Sequence, residues 1–218
     1  MRCIGYRTKR NEMLHTQCVS KELLELLTQL SVIEVFQNLY LVGGTALALQ
    51  VGHRNSIDID LFGEHQLDNE VILSNFQKLG KVEIIGSSKS ILAAFVNEIK
   101  VDVVKYPYQW LKEPVVVNEL KMASLEDIAA MKIAAITQRG SKKDFIDLYY
   151  LLKQFTLKEI LQFYSDKITD GNLWLAIRSL TFFNDADIQP SPKLFSNTSW
   201  EHMKSIILKE VQLHLKNN

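Results

Sequence analysis

Asp58 and Asp60 alternate with apolar residues in Ser56-Ile57-Asp58-Ile59-Asp60-Leu61-Phe62. Successive side chains of a strand point to opposite faces, so Ile57, Ile59 and Leu61 share one face. The two aspartates share the other, roughly 7 Å apart along the strand. Such a strand can bury its apolar face while both charges line a cleft. Carboxylates so placed repel each other unless a cation lies between them, and a hard divalent ion with oxygen ligands, Mg2+ or Mn2+, meets that need. The same ion can hold the phosphates of a nucleotide. The competing reading is a half-buried surface strand whose outward positions are acidic.

The residues upstream favour chemistry. Asn38-Leu39-Tyr40-Leu41-Val42 reads as a short strand, Gly43-Gly44 ends it, and Thr45-Ala46-Leu47-Ala48-Leu49 reads as the opening of a helix. A Gly-Gly pair alone is a plain turn in most chains. Between a strand and a helix N-terminus it makes an anion-binding corner, where backbone N–H groups approach a phosphate with no Cβ in the way. Gly43, Gly44 and Thr45 are therefore candidate nucleotide-binding residues.

A third acid completes the set. Ser90 to Val96 and Glu98 to Val104 read as two strands joined at Asn97, with Asp102 facing opposite to Val101 and Val103. Beside the Asp58/Asp60 strand, Asp102 would give three carboxylates, enough for two metals about 3.5–4 Å apart and an in-line displacement at phosphorus. Asp102 would then activate the acceptor hydroxyl. The plain alternative is an edge-strand charge.

Ser124-Leu125-Glu126-Asp127 has the form of a capping box, and a helical apolar pattern runs from it to about Gln138. Its stripe holds Ile128, Ala129, Ala135 and Ile136, with Lys132 near the centre. An unpaired buried ammonium is costly, so Lys132 is expected to face a cleft, an acid or a phosphate; snorkelling is the competing explanation. Arg139-Gly140-Ser141-Lys142-Lys143 then leads into a second helix carrying Asp144 and Asp147 one turn apart. Acids near a helix start are also favoured by the dipole, and the basic turn reads either as a phosphate or RNA contact or as a solvated surface.

Gly43 to Leu49, His53-Arg54 and Ser56 to Phe62 together resemble the first motif of the abortive-infection nucleotidyltransferase toxins, the AbiEii/AbiGii family of the DNA polymerase β-like nucleotidyltransferase superfamily. The resemblance continues through Lys100 to Val104 and Asp127 to Leu152, spanning roughly residues 35 to 155. It implies a metal-dependent transfer of NMP from an NTP to an acceptor hydroxyl. Asp58, Asp60 and Asp102 are the implied metal ligands, Lys132 the residue handling phosphates, and Asp144, rather than Asp147, the acid of the last motif. It also implies tRNA or other RNA as acceptor, and a toxin restrained by a cognate antitoxin in a type IV toxin-antitoxin or abortive-infection system. Two alternatives stand beside it: a nucleotidyltransferase acting on a small molecule or a protein, and a non-catalytic nucleotide-binding module of the same fold.

The expected fold is α+β, a small mixed sheet flanked by helices and followed by a helical C-terminal half. The nucleotidyltransferase-like part covers residues 1–120, and a helical part, 121–218, completes the cleft. Expected helices are Lys21 to about Gln37, Asp68 to Lys78, Leu157 to Lys167, Asn172 to Leu180 and Trp200 to Leu215, with a further strand at Val82 to Ile85 and a loop from Asp185 to Ser199. Trp174, Arg178 and Trp200 receive no role. The 218 residues suffice for a substantial core. Lys plus Arg equals Asp plus Glu at 25 each, so no general basic field exists and any RNA must meet a local patch. Cys3 and Cys18 make no disulfide framework, no run is apolar enough to span a bilayer, and Met1 to Arg7 lacks a signal peptide's apolar segment; a cytoplasmic protein is expected.

Overall fold

The computed structural model of the protein describes residues 14–63 and 68–217; Cys3 and the stretch Met1 to Arg7 lie outside them. The first helix, α1 (Lys21–Ser31), is capped by Ser20, whose hydroxyl accepts from the Leu23 N–H, and it buries Leu23, Leu26, Leu27 and Leu30. It stops short of Gln37: Ile33 is extended, and the chain resumes as one 3-10 turn at Glu34–Phe36. Strand β1 (Tyr40–Leu41) follows, then helix α2 (Gly43–Val51) and strand β2 (Asp58–Gly63). Here the two glycines are themselves the first turn of α2, rather than a turn preceding Thr45.

Helix α3 (Asn69–Leu79), capped by Asp68, leads to β3 (Val82–Ser87), β4 (Ile91–Val96) and β5 (Ile99–Lys105). Asn97 and Glu98, both with positive φ, form the tight turn between β4 and β5. The same Asn-Glu pair recurs at 118–119, also with positive φ, and joins β6 (Val115–Val117) to β7 (Leu120–Met122). This second hairpin is absent from the pattern reading because three-residue strands are too short to show alternation.

The seven strands form one sheet in the order β3-β4-β5-β2-β1-β7-β6. Pairs β2/β5 and β1/β7 are parallel and the rest antiparallel, so the sheet is mixed. Ile59, Leu61, Val101 and Val103 are buried on one face, packed into a core with α1 and α3. Strand β2 therefore sits in mid-sheet with its acidic face turned the other way.

The helical part comprises α4 (Leu125–Gln138), α5 (Lys142–Leu151), α6 (Leu157–Lys167), α7 (Leu173–Ser179), a short α8 (Asn184–Asp187) and α9 (Trp200–Lys216). The mixed α+β architecture is the one expected. Helix α2 packs on both α4 and α5, which joins the glycine corner to the helical part. The 185–199 segment carries α8 and then returns to residues 53–55: Asn55 N–H donates to the Lys193 carbonyl and Phe195 N–H to the His53 carbonyl. Trp200 is a packing residue, donating from Nε1 to Asp187 and lying against Phe145 and Phe183.

The start of α4 differs from a capping box. Ser124 Oγ accepts from the Asp127 N–H at 3.0 Å, but the Asp127 carboxylate, one methylene shorter than glutamate, accepts from the Leu111 and Lys112 N–H groups and from Lys167 of α6 at 2.7 Å. Lys167 also lies over the rings of Trp110 and Tyr106, 4.3 and 4.9 Å from their centroids. Both members of the Asp127–Lys167 pair are fully buried. Removing one leaves an uncompensated charge, so Asp127→Ala is expected to lower stability by about 3–5 kcal/mol, and adding Lys167→Met should recover part of the loss. Urea denaturation of the single and double variants checks this.

Candidate active site

Register places the acids. Strands β2 and β5 run parallel with Asp60 opposite Asp102 and Asp58 opposite Lys100, so all four side chains start from one face of the sheet. Asp60 and Asp102 are thus immediate neighbours on adjacent strands. Burial, and then the charge of Asp102, push the Asp60 carboxyl above the usual carboxylate range.

The glycine corner closes on this strand. Val42 N–H donates to the Asp60 carbonyl at 2.9 Å. Gly43 has φ +68°, and a Cβ there would stand 2.4 Å from Asp60 Oδ2. A side chain is excluded twice, once by backbone conformation and once by the carboxylate. A Cβ on Gly44 would stand 2.2 Å from the guanidinium of Arg54. The Thr45 hydroxyl turns inward, 2.8 Å from Ser56 Oγ and bonded to the Asp58 carbonyl, so it fixes the approach to β2.

Lys132 faces acids. Its ammonium lies 3.0 Å from Asp144 Oδ1 and 2.8 Å from Asp147 Oδ2, all three groups buried. Asp147 also accepts from Arg54 through Nε and Nη2 at 2.6 and 2.9 Å, and its Oδ1 is 2.7 Å from His53 Nε2. Asp144 accepts from Arg139 at 2.9 and 3.2 Å and from Ser141 at 2.5 Å. Burial alone would raise both carboxyls, but Arg54 and Lys132 hold Asp147 well below the usual range, and Lys132 and Arg139 do the same for Asp144. Asp144 and Asp147 therefore stay charged and keep the Lys132 ammonium charged, its own burial notwithstanding.

Of the basic turn, Lys142 is turned away, its ammonium bonded to the Asp187 and Gln189 carbonyls and set over the Trp200 ring. Lys143 reaches 3.7 Å from Asp58, and Arg139 stays 59% exposed while holding Asp144. The structure thus gathers Asp58, Asp60 and Asp102 with Gly43 and Gly44, and sets Lys132 and Asp144 in the ion network behind them. His53, Arg54 and Lys100 stand in the motifs that carry the resemblance but receive no role from the sequence; the available signal was a basic residue just before and within acidic strand motifs.

A divalent cation suits part of this arrangement. The donors are hard oxygens, and Asp102 Oδ1 is buried without a hydrogen-bond partner beside Asp60. Among the described residues, however, no three His, Cys, Asp or Glu side chains converge as a ready metal site. Lysines stand on two of the acids instead: Lys100 is 2.5 Å from Asp102 Oδ2, and Lys143 is near Asp58.

The mixed sheet followed by helices is an architecture the chain shares with solved nucleotidyltransferases. The family model described as nucleotidyl transferase AbiEii toxin, type IV TA system, matches residues 25–210, and the chain belongs to that family. An uncharacterised protein of Aquifex aeolicus is 34% identical over 211 residues, 91% of this chain and 98% of that protein. Two solved structures share the fold at low identity. MenT4, a nucleotidyltransferase toxin of Mycobacterium tuberculosis, aligns with TM-score 0.56 and 16% identity, covering 87% of this chain and 82% of MenT4. JHP933 of Helicobacter pylori aligns with TM-score 0.56 and 17% identity, covering 91% and 94%.

Two outcomes follow from this geometry. Gly43→Ala is expected to cost about 1–2 kcal/mol from the left-handed backbone alone and to displace the Asp60 carboxylate; thermal melting measures the first and a crystal structure of the variant the second. The second outcome concerns pH. Burial, first of all, pushes His53 below its ordinary value, so the unfolded chain takes up a proton there that the folded chain refuses. Stability then falls as pH drops below about 6.5. Asp144 and Asp147 contribute stability that is present above about pH 4 and lost as pH falls through their depressed folded values. Melting curves from pH 7.5 to 3 should show the His53 step and the onset of the acid loss, and His53→Gln should flatten the upper step.

Proposed function

We propose that this AbiEii-family nucleotidyltransferase moves NMP from an NTP to a hydroxyl of an RNA acceptor, with tRNA the acceptor we favour. The observation that carries the reading is the register of Asp60 against Asp102 beside the glycine corner. Asp58, Asp60 and Asp102 would hold Mg2+ or Mn2+, which supplies charge neutralisation at the phosphates. The helix N-terminus at Gly43–Gly44 would suit the triphosphate.

In the transfer, Asp102 takes the proton of the acceptor hydroxyl, the freed oxygen bonds to the α-phosphorus, and the bond to the bridging oxygen breaks to release pyrophosphate. Arg139 and Lys143, the accessible cations of the basic turn, would meet the phosphates or the RNA backbone. Lys132 acts from behind, holding Asp144 and through it Arg139. A chain with no net charge binds RNA through such a local patch. The helical part from residue 121 onward completes the cleft.

The biological setting we infer is a type IV toxin-antitoxin or abortive-infection system in a reducing cytoplasm, with a cognate antitoxin as partner. Family membership supports the system, and the buried free thiol of Cys18 is in keeping with the compartment. No helix among the described residues is long and apolar enough to cross a membrane.

The test is incubation with each α-labelled NTP, Mg2+ or Mn2+, and total RNA, followed by identification of the labelled species. Label on tRNA is expected. Asp58→Ala with Asp60→Ala should reduce it at least about 100-fold, the scale on which an electrostatic stabiliser of a transition state acts, and abolish any metal-dependent rise in melting temperature. Label on a small alcohol or on protein, with none on RNA, would overturn the acceptor assignment. No label on anything would overturn the transfer itself.

A further inference from the structure

Lys100 belongs to the same strand face as the acids it neutralises. Its register partner across β2/β5 is Asp58, yet its ammonium folds along β5 to Asp102, two residues on. One oxygen of Asp102 is thereby answered by a cation at 2.5 Å, while the other is buried with no partner. The pair is only half enclosed: the Lys100 side chain is 37% exposed, so the ammonium has an open side through which to leave. Asp60 stands directly beside Asp102 in register.

We propose that the Lys100 ammonium is the resident counter-ion of the Asp60/Asp102 pair in the metal-free protein, and that a divalent cation enters by displacing it. The inference rests on the assignment of metal to these carboxylates made above. An ammonium and a doubly charged ion on the two oxygens of one carboxylate repel each other, so each weakens the hold of the other on Asp102. Lys100 therefore keeps the two acids tolerable neighbours before metal arrives and lowers the apparent affinity of the metal. Once displaced, the ammonium remains tethered on the face it shares with Asp58, at the side where the nucleotide phosphates are proposed to lie.

The experiment is a titration with Mn2+ alone, free ion read by electron paramagnetic resonance, on the wild type, Lys100→Met, Lys100→Gln, Lys100→Arg and Asp60→Asn/Asp102→Asn. Circular dichroism identifies which neutral variant is folded. The folded neutral variant should bind Mn2+ about tenfold tighter than wild type, and Lys100→Arg within about twofold of it. Its melting temperature should lie below wild type without metal and rise more steeply when Mn2+ is added. Equal or weaker affinity in the neutral variant would overturn the displacement while leaving the metal site standing, provided that Asp60→Asn/Asp102→Asn abolishes binding. If neither wild type nor the neutral variant binds Mn2+, the metal assignment and the displacement fall together.

Discussion

A single buried carboxylate, Asp147, receives His53, Arg54 and Lys132 at distances between 2.6 and 2.9 Å. Those three residues come from two places far apart in the chain. His53 and Arg54 lie in the connection between α2 and β2, and Lys132 in the middle of α4. The contact is therefore the point at which the helical part grips the loop that sets the position of β2. Buried charges persist only when paired and fully hydrogen-bonded, so the network tolerates little displacement of any member.

From that grip the geometry of the acidic strand follows in short steps. Arg54 is held by two parallel bonds to Asp147, a bidentate fit that a lysine could not reproduce. Its guanidinium lies so close to Gly44 that only glycine fits there, and Gly43 in turn lies against Asp60. The glycines thus serve two purposes. They leave backbone N–H groups approachable, and they let a structural arginine and an acid of the strand close on the same turn from opposite ends. The ion network uses up Arg54 and Lys132 internally and keeps Arg139 at its exposed edge on Asp144, while Lys143 and Lys100 border the acids of the sheet with substantial exposure.

Much of this was legible in the residues and some of it was not, for physical reasons. Alternation in residues 56–62 and 98–104 shows which way Asp58, Asp60 and Asp102 face, because a strand's period is local. The misfit of Lys132 in an apolar stripe announces an acid or phosphate, since the cost of an unpaired ammonium is general. Its partners are another matter. Asp144 and Asp147 lie on the next helix, and Asp147 meets Arg54 across 93 residues of chain, a pairing that only tertiary packing creates. Likewise the 185–199 segment reads as a loop, which it largely is. Its return to pair Leu194 with Arg54 has no local signature. The hairpin at residues 115–122 was missed for the opposite reason: its information is local but too short to rise above background.

The two ion systems differ in what burial does to them. Around Asp147 and Asp144, each acid meets cations that offset its burial, and both carboxyls are held in the charged form. Around Asp60 the balance runs the other way, with burial and a second acid raising the carboxyl and Lys132 and Lys100 only partly offsetting them. A fold that satisfies one cluster of charges and leaves an adjacent one short of positive charge has separated support from chemistry. The satisfied cluster resists change and fixes geometry. The deficient one gains most from an added cation, and it is the one that the glycine corner faces.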